Sequence, residues 1–173
     1  SNLRRKVSMK KINILLILIC IIIIIVGSII LINNKEYYIT DNEYLYDIAL
    51  NYLINQDDEE SNSDHDRENY HFFATYDGLG ITEKNNIQYI YMWVLGESYY
   101  LDNSEIKELS GYSMFYKFTF ENNKIINVEI PEDGSNYKKS IKKMCPDSKM
   151  INKVLNYNPK LSLTEQVNQY YNR

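Results

Sequence analysis

Residues Ile14 to Ile32 form an apolar run with no charge, and sixteen of the nineteen are Ile, Leu or Val. At about 1.5 Å per helical residue the run reaches roughly 28 Å, close to the hydrocarbon thickness of a bilayer. An isolated span in lipid has no water for its amides and must be helical. The helix-restricting χ1 of Ile21 to Ile25 is outweighed there. Sixteen such side chains favour insertion by on the order of 5 to 9 kcal/mol.

The flanks set the expected orientation. Arg4, Arg5, Lys6, Lys10 and Lys11 precede the run, whereas only Lys35 follows it closely, beside Glu36. The positive-inside rule then places residues 1–11 in the cytoplasm, a transmembrane helix over 12–33 and an extracytoplasmic domain over 34–173. A cleaved signal peptide has a shorter apolar core, about 7 to 15 residues, and a small-residue cleavage site. This run is longer and lacks an A-x-A pattern, so an uncleaved anchor is expected. Cys20 has Ile on both sides and does not fit a lipidated cysteine. Met9-Lys10-Lys11 has the form of a bacterial start, and residues 1–8 read as an upstream extension.

The net charge of −4 hides an asymmetry. Residues 1–11 carry +5 and the remainder −9, so bulk charge excludes nucleic acid as a partner. Seventeen Tyr, with abundant Asn, Ile and Lys, read as the codon usage of an AT-rich bacterial genome rather than as function. Cys20 and Cys145 lie on different sides of the membrane boundary and cannot pair. Cys145 reads as a buried small hydrophobe.

Along the domain, Thr40 to Glu43 has the form of a capping box. Leu45, Ile48, Ala49, Tyr52 and Leu53 then repeat at helical spacing. Residues 56–69 hold seven Asp or Glu against Arg67 alone and read as a mobile acidic loop. Asp64, Asp66 and Glu68 have odd EF-hand spacing, but Asn69 and Thr75 stand where Gly and Glu are required.

Four strands are expected next. Tyr70–Tyr76 is followed by a turn over Asp77-Gly78-Leu79-Gly80. Ile87 to about Leu101 is apolar on both faces, with Gly96 as a bulge or bend. Tyr112–Glu121 alternates, with Tyr112, Met114, Tyr116, Phe118 and Phe120 on one face. Lys124–Ile130 follows an Asn122-Asn123 turn, buries Ile126, Val128 and Ile130, and ends at Pro131. Helices are then expected over Gly134–Cys145 and Asp147–Asn156, with Pro146 between them, and after a capping box at Ser162 to Glu165.

The expected fold class is therefore α+β: a transmembrane helix, then a helix on a four-stranded antiparallel meander, then short C-terminal helices. Its outline is that of cystatin-like and NTF2-like domains, an analogy that transfers no function.

No catalytic constellation is recognisable. His65 and His71 have no Cys or His partners at metal-ligand spacing, and no cofactor or metal is expected. Glu97 in an apolar strand, beside Tyr89, Tyr91 and Trp93, marks a candidate pocket for the alternative reading, a small envelope enzyme or ligand carrier. Lys138, Lys139, Lys142 and Lys143, with Lys149 and Lys153 beyond, mark a binding surface for an acidic envelope protein or an anionic wall polymer. Gly27-Ser28 is too little for a strong helix-dimer motif.

The segments Tyr99–Asp102, Gly111–Ser113, Tyr116–Asn122, Glu129–Pro131, Asp133–Ser135 and Ile141–Pro146 carry a resemblance. Over roughly residues 87–152 the chain resembles a small extracytoplasmic domain of unknown function. That domain occurs in lipoproteins and membrane-anchored proteins of clostridial-type Gram-positive bacteria. The strand–Pro–x–Asp-Gly-Ser–helix–Pro order is the most specific part. The resemblance implies surface exposure and no catalytic residue. This chain lacks the lipidated cysteine common in such proteins and has Cys145 where an aromatic is expected. On these grounds the expected function is a membrane-tethered, non-catalytic binding module at the cell envelope.

Overall fold

The computed structural model describes residues 16–29, 35–60 and 69–172. The chain divides into two compact units, Ser1–Glu36 and Tyr37–Arg173. In the first, residues 16–29 form helix α1. Among the described residues no helix is long and apolar enough to cross a membrane. Residues 12–15 and 30–33 of the expected span lie outside the described residues. In α1 the Ser28 hydroxyl donates to the Ile24 carbonyl at 2.7 Å, so its polar group is satisfied within the helix.

The second unit is α+β. Its five-stranded antiparallel sheet runs in sequence order: β1 (Tyr37–Ile39), β2 (His71–Lys84), β3 (Ile87–Asp102), β4 (Glu105–Glu121) and β5 (Lys124–Glu129). Four helices join it: α2 (Glu43–Glu60), α3 (Tyr137–Met144), α4 (Ser148–Leu155) and α5 (Thr164–Tyr171). A 3₁₀ turn, Gly134–Asn136, leads into α3.

The sheet has five strands rather than four, because β1 was too short to signal itself. Its three residues pair with β2, Tyr38 opposite Thr82 and Ile39 opposite Ile81. The expected turn at residues 77–80 is instead a bulge inside β2. The ladder breaks between Gly78 and Gly80 and resumes with Gly80 opposite Tyr91. Gly80 takes the excursion at φ +148°, a region closed to most side chains. The chain reverses seven residues after Gly78, at Asn85-Asn86, both with positive φ. Asn103-Ser104 and Asn122-Asn123 turn the next hairpins in the same way. Two positive-φ residues match the twist of the flanking strands, and Asn tolerates them.

β4 starts at Glu105, earlier than expected, and runs through Gly111. Gly96 is not a bulge. It pairs in register with Ala74 and Tyr112, and a Cβ there would stand 2.7 Å from the rings of Phe72 and Tyr112. Those two rings stack over it at 6.2 Å. A bulge between β4 and β5 shifts the last strand by one residue. Ile125 and Val128 therefore pack on the core, while Ile126 and Ile130, expected inside, are each 55% exposed.

The capping boxes also move. Asn42, not Thr40, meets the start of α2: its Oδ1 accepts from the Tyr44 amide at 3.2 Å. Thr164 opens α5, and the Ser162 Oγ accepts from the Thr164 amide rather than from Glu165. The acidic stretch is helical through Glu60, since extending a nucleated helix costs little per residue. Residues 61–68 of the expected loop lie outside the described residues.

Both faces of the sheet are covered. On one, Leu45, Tyr46 and Ala49 of α2 pack on Phe72, Ile81, Ile90, Met92, Val94, Phe118 and Phe120. On the other, Ile141, Met144 and Cys145 and α4's Met150 and Val154 pack on Leu79, Tyr91 and Phe115. Val167 of α5 and Leu163 seal a third cluster around Phe73. Alternation makes this possible: neighbours along β3 point to opposite layers, so the strand must be apolar throughout. Among the described residues no buried side-chain nitrogen or oxygen lacks a hydrogen bond.

Candidate functional site

Tyr89, Tyr91, Trp93 and Glu97 share one face of β3; the first three pack with residues of α3 and α4, whereas Glu97 lies opposite Phe73, whose cluster Leu163 and α5 cover. Tyr91 is fully buried and stacks parallel to Phe115 at 6.3 Å. Trp93 is half-buried. Its indole N–H donates to Ser113 Oγ at 2.8 Å, and its ring leans on Tyr157 at 4.8 Å. The Tyr157 hydroxyl in turn donates to Asp77. Lys117 sits 5.0 Å above the Tyr89 ring and pairs with Glu129 at 3.1 Å. Glu97 accepts from the Tyr99 hydroxyl at 2.5 Å, and burial followed by this bond pushes the Tyr99 phenol upward. The four residues thus have separate local partners, and the aromatic face is packed.

Lys138, Lys139, Lys142 and Lys143 are all exposed on α3, whose inner side is Ser140, Ile141 and Met144. Helix α4 repeats the arrangement, with Lys149 and Lys153 exposed and Met150 and Val154 buried. From Tyr137 to Lys160 the chain has seven Lys and one acid, Asp147. Asp147 is already engaged: its Oδ1 accepts from the Met150 amide at 2.8 Å, capping α4, and from the Tyr38 hydroxyl at 3.1 Å. Lys149 stands 5.6 Å from the Tyr38 ring, and Lys153 donates to the Leu79 carbonyl at 2.6 Å. These groups border a cleft of about 380 Å³ between β1, the β2 bulge and α4, with Asp41 on its rim. The cationic layer expected from the sequence therefore extends from α3 across α4 to the edge of the sheet.

The opposite layer was not singled out by its sequence. Tyr52, Gln56 and Asp57 of α2 face Tyr112 and Tyr116 of β4 and Val128 of β5 around a cavity of about 270 Å³. The helical i, i+4 spacing of Tyr52 and Gln56 and the strand spacing of Tyr112 and Tyr116 were visible, but not their meeting.

Of the candidate catalytic groups, His65 lies outside the described residues. His71 stacks on Tyr170 at 4.3 Å, and Cys145 is a buried thiol among apolar side chains, as its sequence position suggested. Among the described residues no cluster of three His, Cys, Asp or Glu is placed to hold a metal ion. No protein-family model, no curated protein and no solved structure matches the chain.

Proposed function

We propose that this protein is a membrane-tethered, non-catalytic binding module that presents α3 and α4 to an anionic partner at the outer face of the cell. The observation that carries this reading is the charge on one layer: seven Lys against one engaged Asp, in a domain whose net charge is −9. A cationic patch on an acidic body gives orientation as well as attraction. The packed surroundings of Trp93 and Tyr91 support a surface binder over a ligand carrier or small enzyme.

The anchor is part of the proposal. The apolar run, its basic flank and the internally satisfied Ser28 support a span over residues 12–33 with the N-terminus in the cytoplasm. So does the resemblance to the extracytoplasmic domain of clostridial-type surface proteins. The cystatin-like or NTF2-like outline belongs to the same reading and adds no activity.

Full-length protein in bilayer discs, titrated with a poly(glycerol phosphate) wall polymer, tests the reading. Binding is expected to weaken steeply with salt and to disappear in a Lys138→Glu/Lys139→Glu/Lys142→Glu/Lys143→Glu variant. Equal binding by that variant would refute the assignment of the surface.

A further inference from the structure

The layer opposite the lysines holds a site of different chemistry. Tyr52, Tyr112 and Tyr116 present aromatic walls to the 270 Å³ cavity, and Gln56 and Asp57 give it a polar, acidic rim. The rings are inclined to one another. Tyr112 and Tyr116 are 6.2 Å apart at 56°, and Tyr52 meets Phe118, the stacking partner of Tyr116, edge-on at 85°. Packing holds them: Tyr116 is 8% exposed and Tyr112 stacks on Phe72. Asp57 is held by the Tyr70 hydroxyl at 2.8 Å.

The electrostatics point the same way. Helix α2 carries six acids and no Lys or Arg, and four of the acids, Asp57 to Glu60, stand in succession at its C-terminal end. Helix dipoles are negative at that end, so the Asp57 carboxylate there is locally unfavourable and a cation relieves it. Burial, then Tyr116, then the charge of Asp57 push the Tyr112 phenol upward, which keeps the wall neutral.

We propose that this cavity binds a small organic cation through an alkylated ammonium group, with Tyr52, Tyr112 and Tyr116 as the cage and Asp57 as the counter-charge. Aromatic faces attract cations, and quaternary ammonium, which has no N–H to satisfy, suits walls made mostly of rings. The volume lies below the roughly 300–1,000 Å³ typical of whole drug-sized ligands, so the cavity takes a head group. The site uses none of the lysines on α3 and does not depend on the proposal for that surface.

The test is a titration of full-length protein, in discs free of choline lipids, followed by calorimetry and by the NMR signals of the tyrosines. The probes are choline, glycerophosphocholine and the uncharged isostere 3,3-dimethylbutanol. Choline is expected to bind at least about tenfold more tightly than the isostere. Tyr112→Phe keeps the ring and is expected to keep binding, whereas Tyr112→Leu and Asp57→Asn weaken it. Binding of glycerophosphocholine as well assigns a lipid head group; choline alone assigns a free cation. Equal affinity for choline and the isostere, or no binding of either, overturns the proposal without any variant having to fold. The α3 charge-reversal variant is expected to bind choline as the parent does, so the two proposals fail separately.

Discussion

The two faces of the sheet solve the same burial problem with different means. One is covered by a single helix of 18 residues, and the other chiefly by three helices of 8 residues each. The long helix carries only acids, whereas α3 carries only Lys as charged residues. Both layers press on apolar side chains from the same strands, often from adjacent positions, such as Phe115 and Tyr116. The lesson is that a sheet buried on both sides separates two charged surfaces with a rigid partition. Coulomb interactions between exposed groups fade over a Debye length of about 8 Å at physiological salt, so the surfaces act largely independently.

The sharpest way to break this comparison is to empty the core on each side. Phe115→Ala under α3 and α4, and Phe118→Ala under α2, each remove a fully buried ring. Each is expected to cost about 3–5 kcal/mol in urea unfolding, with one cooperative transition by circular dichroism and by tryptophan fluorescence. Separate transitions for Phe115→Ala would mean that the short-helix layer melts by itself. Gly96→Ala is next. The added methyl meets Phe72 and Tyr112 on the α2 side only, and a loss of about 1–3 kcal/mol is expected. A neutral result would show that the tyrosine wall yields. Asp147→Ala is the smallest. It removes the α4 cap and the Tyr38 bond, and about 1 kcal/mol should be lost, read as a lower midpoint with unchanged slope.

Much of this partition was legible. The stripe of α2, the two apolar faces of β3, the stop at Pro146 and the buried side of α3 with Cys145 all follow from periodicity and breakers. Periodicity misleads where one residue changes parity. The bulge at Gly78–Gly80 let a strand pass through what resembles a turn, and the bulge within β5 exchanged Ile126 for Ile125. Phe115 stands among Ser113, Lys117 and Thr119 on its face of β4, and α3 and α4 return from far along the chain to cover it. The tyrosine cavity was hidden for the same reason. Tyr52 and Tyr112 are sixty residues apart, and abundant tyrosine read as codon usage rather than as architecture.

The strand order has a consequence for how the molecule comes into being. From β2 to β5 successive strands pair with one another, joined by two-residue turns. Hairpins of this kind close in about 1–10 μs, and sequential pairing keeps contact order low for a β-rich chain. A polypeptide emerging N-terminus first, at about 5–20 residues per second, can complete each hairpin before the next strand appears. The layer of α3, α4 and α5 must wait for the C-terminal third. Until then the Tyr91 and Phe115 face stays open, and that interval is when the nascent chain is most exposed to aggregation.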